Sequence, residues 1–502
     1  MMSPFVSRPT IDKNQPFFSI YNMRHKFLAW LFPTMAMGGV LLSVPACKKS
    51  AAPAAPAQPA LSAETLTQQR LEWNLKTLVA AYQTANHTNA SWDAAATLAL
   101  TEFAHARAHA VAANEPWSEI IATNAAAAVQ AGCDDPMVNY LFIKFALPAT
   151  NSAKTFADDF GRIALAMNES AYPSVRKTYA AMTALEQIFQ AYGDNSTNLS
   201  VARQVMPLVG GNLIPAMADK TMPATEAYDL TDRALYLVSG DKQAYRQSYH
   251  CLEQPMFENW PNHPLTWLFK GRGYYDMAWL ARGGDYAEKV RPSAWPTFFA
   301  YIAVADEALT NAWNLDQNDE RIPTLMIRVA EARQKSRPEM EMWFQRAMAI
   351  NPACYDACQY KLHYLTPQWY GSRDDMLAFG RECASSTHWR GTVPLILPEA
   401  HWQYWTFLDA SEAKTNYWTR PDVWPDIAQA YNRFFELNPK DTSYDYAFAS
   451  YAYRCQQWEK FIELTAKLKP VDYAYFGGKD AFDRMVQFAR DNIKPSKPGE
   501  QK

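Results

Sequence analysis

WDAAATLALTEFAHARAHAVAAN at residues 92–114, WSEIIATNAAAAVQAG at 117–132 and PMVNYLFIKFAL at 136–147 are three Ala- and Leu-rich runs parted by short breaks. Apolar residues recur in them at three- and four-residue spacing, as on one face of a helix. The same pattern begins near Ala63, with Leu71, Leu75, Leu78 and Tyr82, and continues almost to the C-terminus. Asp135-Pro136, Tyr172-Pro173 and Met222-Pro223 are start signals, because proline is tolerated only in a first turn; Gly193 and Gly240 lie where helices should stop. No stretch alternates apolar and polar residues between hairpin turns. The fold class is all-α, and a long series of short-linked helices packs as antiparallel pairs into an α-solenoid.

The chain has 502 residues, 49% hydrophobic and 20% charged, enough for about three folding units and too apolar to stay unfolded. Net charge is −3 and no Lys/Arg block exceeds two residues, which speaks against a nucleic-acid partner. Only 18 Gly against 14% aromatics, 17 of them Trp, suits helices packed through large side chains.

The N-terminal segment reads as an address. Arg24, His25 and Lys26 precede an apolar run from Phe27 to Val44, followed by V-P-A-C ending at Cys47. This order of basic start, apolar run and small residue is that of a secretory signal, and a Cys directly after it resembles the lipobox of bacterial lipoproteins. The resemblance implies cleavage before Cys47 and diacylation of its thiol; Val44 and Ala46 fit, Pro45 fits less well. A membrane-spanning helix and a cleaved signal without lipid are the alternatives, the first disfavoured by Pro33 and the Gly38-Gly39 pair. Residues 51–60 hold six Ala and three Pro, a tether of semi-extended character. Lys48 and Lys49, where inner-membrane retention signals carry Asp, lean towards the outer membrane, facing the periplasm. Residues 1–22 do not resemble a signal, and translation is expected to start at Met23.

The second half resembles tetratricopeptide repeats. Leu315-Asp316, Ile350-Asn351-Pro352 and Leu437-Asn438-Pro439 close helices 35 and then 87 residues apart, one and about two and a half periods. Trp267, Gly271 and Tyr274 stand at the repeat's aromatic and small positions; Phe448, Ala449, Trp458, Ala308, Ala312 and Ala347 match others. Phe461 departs from the pattern, standing where Ala is usual. YLTPQWYGSRDDMLAF (364–379) also resembles an uncharacterised bacterial family of tetratricopeptide-like proteins with a P-x-W-x-G-S turn. The implied organisation is an extension (1–22), a signal (23–46), a tether (47–62), an N-terminal helical domain (63–250), repeats (251–384), an irregular aromatic insert (385–420), a further repeat (421–490) and a disordered tail (491–502).

Chemical motifs are sparse. No P-loop, dinucleotide, nucleophile-elbow or zinc-protease signature occurs. S-x-x-K appears at Ser174/Lys177 and Ser411/Lys414 without the companion motifs of acylating serines, and Ser174 reads as a helix cap. His105 and His109 share a helix face but lack a third ligand, so they read as partly exposed side chains. Asp158-Asp159 and Asp374-Asp375 point in different directions around a helix and read as solvated or helix-start charges. Of the cysteines, Cys383 on a helical hairpin could reach Cys354 or Cys358, although buried reduced thiols are favoured.

These features favour a non-catalytic protein without cofactor or metal, binding an envelope or periplasmic protein or peptide in its repeat groove. A carbohydrate-binding outer-membrane lipoprotein using Trp and Tyr stacking is the alternative, and an enzyme with an unrecognised site on the scaffold is a third. Thirteen of the 17 Trp lie between 260 and 458. Trp389 and Arg390 in a Pro- and Gly-bearing loop, Trp418 and Arg420 in NYWTRP, and Trp369 at the W-Y-G-S turn are the candidate binding residues. Trp402 and Trp405, three apart on a helix, read as core.

Overall fold

A computed structural model describes residues 63–85, 89–109, 117–147, 152–193, 200–408 and 412–493. All regular structure in them is helical. Cys47, the signal, the tether and the extension before it lie outside the described residues, as does the tail beyond residue 493. Among the described residues no helix is long and apolar enough to cross a membrane.

The described residues form two compact units, one ending at Asp316 and the other beginning at Gln317. The division does not fall at residue 250, because Pro264–Arg282 and Ala294–Leu315 pack along each other and belong to the first unit. Gly271 makes that pairing possible: a Cβ there would lie 2.5 Å from Leu309 Cγ. The predicted starts are used. Asp135 Oδ1 accepts from the amides of Met137 and Val138, and Pro173 and Pro223 occupy the caps of Ser174–Tyr192 and Ala224–Leu237. Ser174 is therefore the first helical residue after the cap. Gly193 ends its helix at φ 53°, a conformation a side chain would oppose.

In the second unit the helices Arg337–Ile350 and Val423–Leu437 end at the predicted residues, with Asn351 and Asn438 as their C-caps. At the turn between Tyr355–Tyr364 and Arg373–Ser385, a Cβ on Gly371 would lie 2.3 Å from the Leu365 carbonyl oxygen, so only glycine fits. Ser372 then caps the next helix, accepting from the Asp375 amide. The stretch expected to be irregular, 385–420, contains the helix Ile396–Thr406, packed against Arg373–Ser385. Its Pro398 lies in the first turn, where the missing amide costs little. Phe461 is fully buried at the position expected to be small.

Candidate functional site

The predicted binding residues all lie in the second unit, on three separate sets of neighbours. Trp389 is half-buried, edge-on to Phe344 and Phe379 at 5.7 and 6.4 Å. Arg390 beside it is exposed, its amide donating to the Pro352 carbonyl. Trp369 packs against His363 and Tyr370. Trp418 is not at a surface: it is only 7% exposed and its ring meets Trp402, Trp405, Tyr417 and Tyr451. The cause is a buried polar hub. His401 is fully buried, with Nδ1 2.6 Å from the Tyr417 hydroxyl and Nε2 3.0 Å from Asp426, which also accepts from Arg381. This hub draws Tyr417, and Trp418 with it, inward. Trp402 and Trp405, read as core, are half-buried partners on its outside. Arg420 is exposed and paired with Asp422.

The other sequence candidates have ordinary neighbours. Lys177 donates to the Asn168 carbonyl, and Lys414 to the carbonyls of Thr406 and Leu408. His109 Nδ1 lies 2.9 Å from the His105 carbonyl oxygen. Asp158 accepts from Tyr192, Asp159 from Arg162, and Asp375 from Arg337. Cys358 donates to the Met348 sulfur, burial with Cys358 beside it pushes the Cys383 thiol well up, and Cys354 meets Thr324. The thiols are free. Among the described residues no group of three or more His, Cys, Asp or Glu is placed to hold a metal ion.

The densest buried charge is in the first unit. Glu226, fully buried, accepts from Arg70 Nε at 3.0 Å, from Arg107 at 2.7 Å and from the Tyr179 hydroxyl at 2.7 Å; Arg70 also reaches Asp229. Burial alone would raise the Glu226 pKa, but Arg107, Arg70 and Arg176 reverse this and hold it at about 2. About two turns further along the same helix, Arg233 makes a two-pronged pair with Glu186 and donates to Thr183. Arg176 is 3% exposed, yet its hydrogen bonds go to neutral oxygens, Asn74 Oδ1 and Thr77 Oγ1, and its guanidinium lies over the Trp73 ring. These side chains come from four helices, Ala63–Leu75 with the π-helical turn that continues it, Asp93–His109, Ser174–Tyr192 and Ala224–Leu237. The partners in each ion pair lie far apart in sequence, so no local motif reveals the cluster. The available signal is an Arg inside an apolar run, as in SVRKTYAAMTAL at 174–185.

On the other side of Trp73 lies an open groove of about 470 Å³. Leu66, Gln69, Glu72, Trp73 and Lys76 line one wall, and the turns Thr221–Thr225 and Trp260–His263 the other. Both turns are held locally: Asp219 accepts from the Thr221 amide and hydroxyl, and Trp260 Nε1 donates to the Met222 carbonyl. His263 caps the helix that follows. Trp73 Nε1 is buried without a hydrogen-bond partner. The groove thus offers an aromatic and aliphatic floor with a carboxylate, an ammonium and an amide at its rim. Compared with known proteins, the chain matches no family model and no curated relative.

Proposed function

We propose that the protein is a non-catalytic binding scaffold of the bacterial cell envelope, lipid-anchored at Cys47 and facing the periplasm from the outer membrane. Its first unit takes an extended or helical peptide segment of a protein partner. The observation that carries this reading is the groove of about 470 Å³ along Ala63–Leu75. It combines an apolar floor, which rewards burial of partner side chains, with charged groups that orient a backbone. The V-P-A-C segment and the Ala/Pro-rich stretch after it support the anchor. The likeness to tetratricopeptide repeats supports a scaffold that presents grooves rather than a reaction centre.

Two measurements test the reading. Mass spectrometry of the membrane-extracted protein should find an N-terminal peptide starting at an acylated Cys47; an unmodified peptide spanning Ala46–Cys47 rejects the anchor. Photo-crosslinking from positions 69 and 225 in intact envelopes should capture a polypeptide, and Trp260→Ala should reduce its yield. Glycan binding is the second reading, favoured by two Trp in one groove with hydroxyl and amide groups beside them. It predicts saturable binding on a glycan panel, also weakened by Trp260→Ala, and no crosslinked polypeptide.

A further inference from the structure

The first unit also holds a small, partly open cavity of about 30 Å³, separate from the groove. Arg107, Lys144, Arg176 and Arg233 line it together with Tyr140 and Tyr179, and no carboxylate does. The surrounding charge does not balance. Five cations (Arg70, Arg107, Lys144, Arg176 and Arg233) face three carboxylates, Glu226, Asp229 and Glu186. The excess falls on two residues. Lys144 has no ion-pair partner among the described residues and sits over the rings of Phe103, Tyr140 and Phe145. Arg176, almost wholly buried, has only neutral hydrogen-bond partners. Arg107 adds a buried Nε without any partner. A buried guanidinium with no hydrogen-bonded anion is costly: Glu226 acts on Arg176 only across the cluster, and burial still brings its pKa down to about 10. Tyr140 reports the same imbalance. Burial pushes its phenol up, but Lys144, Arg233 and Arg107, with the Thr183 hydrogen bond, bring it below its ordinary value.

We infer that this cavity is an anion-binding site whose ligand is a single carboxylate group, held between Arg176 and Lys144 with the free Nε of Arg107 behind it. The size selects the class. The small volume of about 30 Å³ favours a flat carboxylate over the bulkier phosphate, and the open side leaves a path for the chain that bears it. Planar guanidinium groups suit the same partner, since their parallel N–H donors match its oxygens. The carboxylate can belong to a small organic acid or to the C-terminus of a polypeptide; the chemistry is common to both.

The test uses the full chain at constant ionic strength. Acetate, inorganic phosphate, and a short peptide with either a free or an amidated C-terminus are titrated while thermal unfolding and calorimetric heat are followed. Acetate should raise the unfolding temperature saturably. Lys144→Met, at an exposed side chain without an ion-pair partner among the described residues, should leave the protein folded and weaken acetate about tenfold, as expected for one lost charge-assisted hydrogen bond. Arg176→Met should abolish saturation. A free-acid peptide binding tighter than its amide identifies a polypeptide terminus as the source; acetate binding without that preference identifies a small acid. Absence of saturable binding by every probe overturns the site. Phosphate binding without acetate binding overturns the carboxylate assignment. So does undiminished acetate binding in Lys144→Met. None of these outcomes depends on the groove, which is tested by crosslinking.

Discussion

Replacing Glu226 by Gln removes one negative charge from the interior without changing the side chain's shape. The folded-state pKa of about 2, against an ordinary 4.5, sets the magnitude. At about 1.4 kcal/mol per unit, ionised Glu226 contributes on the order of 3 kcal/mol. The independent figure for breaking a buried pair, about 3–5 kcal/mol, agrees. Arg70 keeps Asp229 after the change, but Arg107 keeps no carboxylate among its hydrogen-bond partners. The pKa is depressed on folding, so the contribution is complete above 4.5 and disappears as pH falls towards 2. Urea unfolding of the wild type and Glu226→Gln should therefore differ by about 3 kcal/mol at pH 7 and by roughly half of that near pH 3. In thermal scans the pH 7 difference corresponds to about 6–12 °C for a unit of this size. A penalty under 1 kcal/mol at pH 7, or one that does not shrink by pH 3, refutes the assignment of Glu226 as the ionised centre of the cluster.

Four further outcomes are expected. Trp418→Ala should cost about 3–5 kcal/mol, as for a buried aromatic, and Trp389→Ala clearly less because its ring is half-exposed; equal losses in urea unfolding would contradict the placement of Trp418. Phe461→Ala should likewise lose about 3–5 kcal/mol, since its ring is fully buried, and an unchanged unfolding midpoint would rule that out. Gly371→Ala should destabilise by at least about 1–3 kcal/mol, because the atom it meets is a backbone oxygen that cannot rotate away; Tm in calorimetry checks it. In the folded protein a maleimide should modify the exposed Cys251 first and reach Cys133, Cys354, Cys358, Cys383 and Cys455 only after unfolding, as peptide mapping would show.

Helix positions were legible because their signals are local. A cap at Asp135, prolines at 173 and 223, and Asn after Ile350 and Leu437 act within one turn, and the chain obeys them. Gly271 was legible for a related reason: a missing side chain at a fixed spacing marks a close helix approach. The interior arrangement was not legible. Trp418 sits in a Pro-flanked, Arg-bearing stretch that reads as a surface loop, and only the distant His401 and Asp426 turn it inward. The helix Ile396–Thr406 was legible only around Trp402 and Trp405; Pro394 and Pro398 masked its start, and its aromatic bulk matches no repeat position. The cationic cavity was invisible because its four cations come from four helices spread over more than 120 residues.

Arg70 and Glu226 are 156 residues apart, and Asn74 and Arg176 are 102 apart. The first described helix is thus fastened to partners made long after it. During synthesis at about 5–20 residues per second, the Arg70 side chain waits roughly 8–30 s for Glu226 to be made. Contacts of such long range also slow folding, since a large loop must close before they form. Until then Ala63–Leu75 has only Asp93–His109 to rest on, and a chaperone that covers its Arg70 side would act at the step where nascent chains are most exposed to self-association. After folding, the same clasp has a mechanical role. Any pull on the chain from its N-terminal side meets the Arg70 ion pairs first, so the unit is secured at the point where a tether would load it.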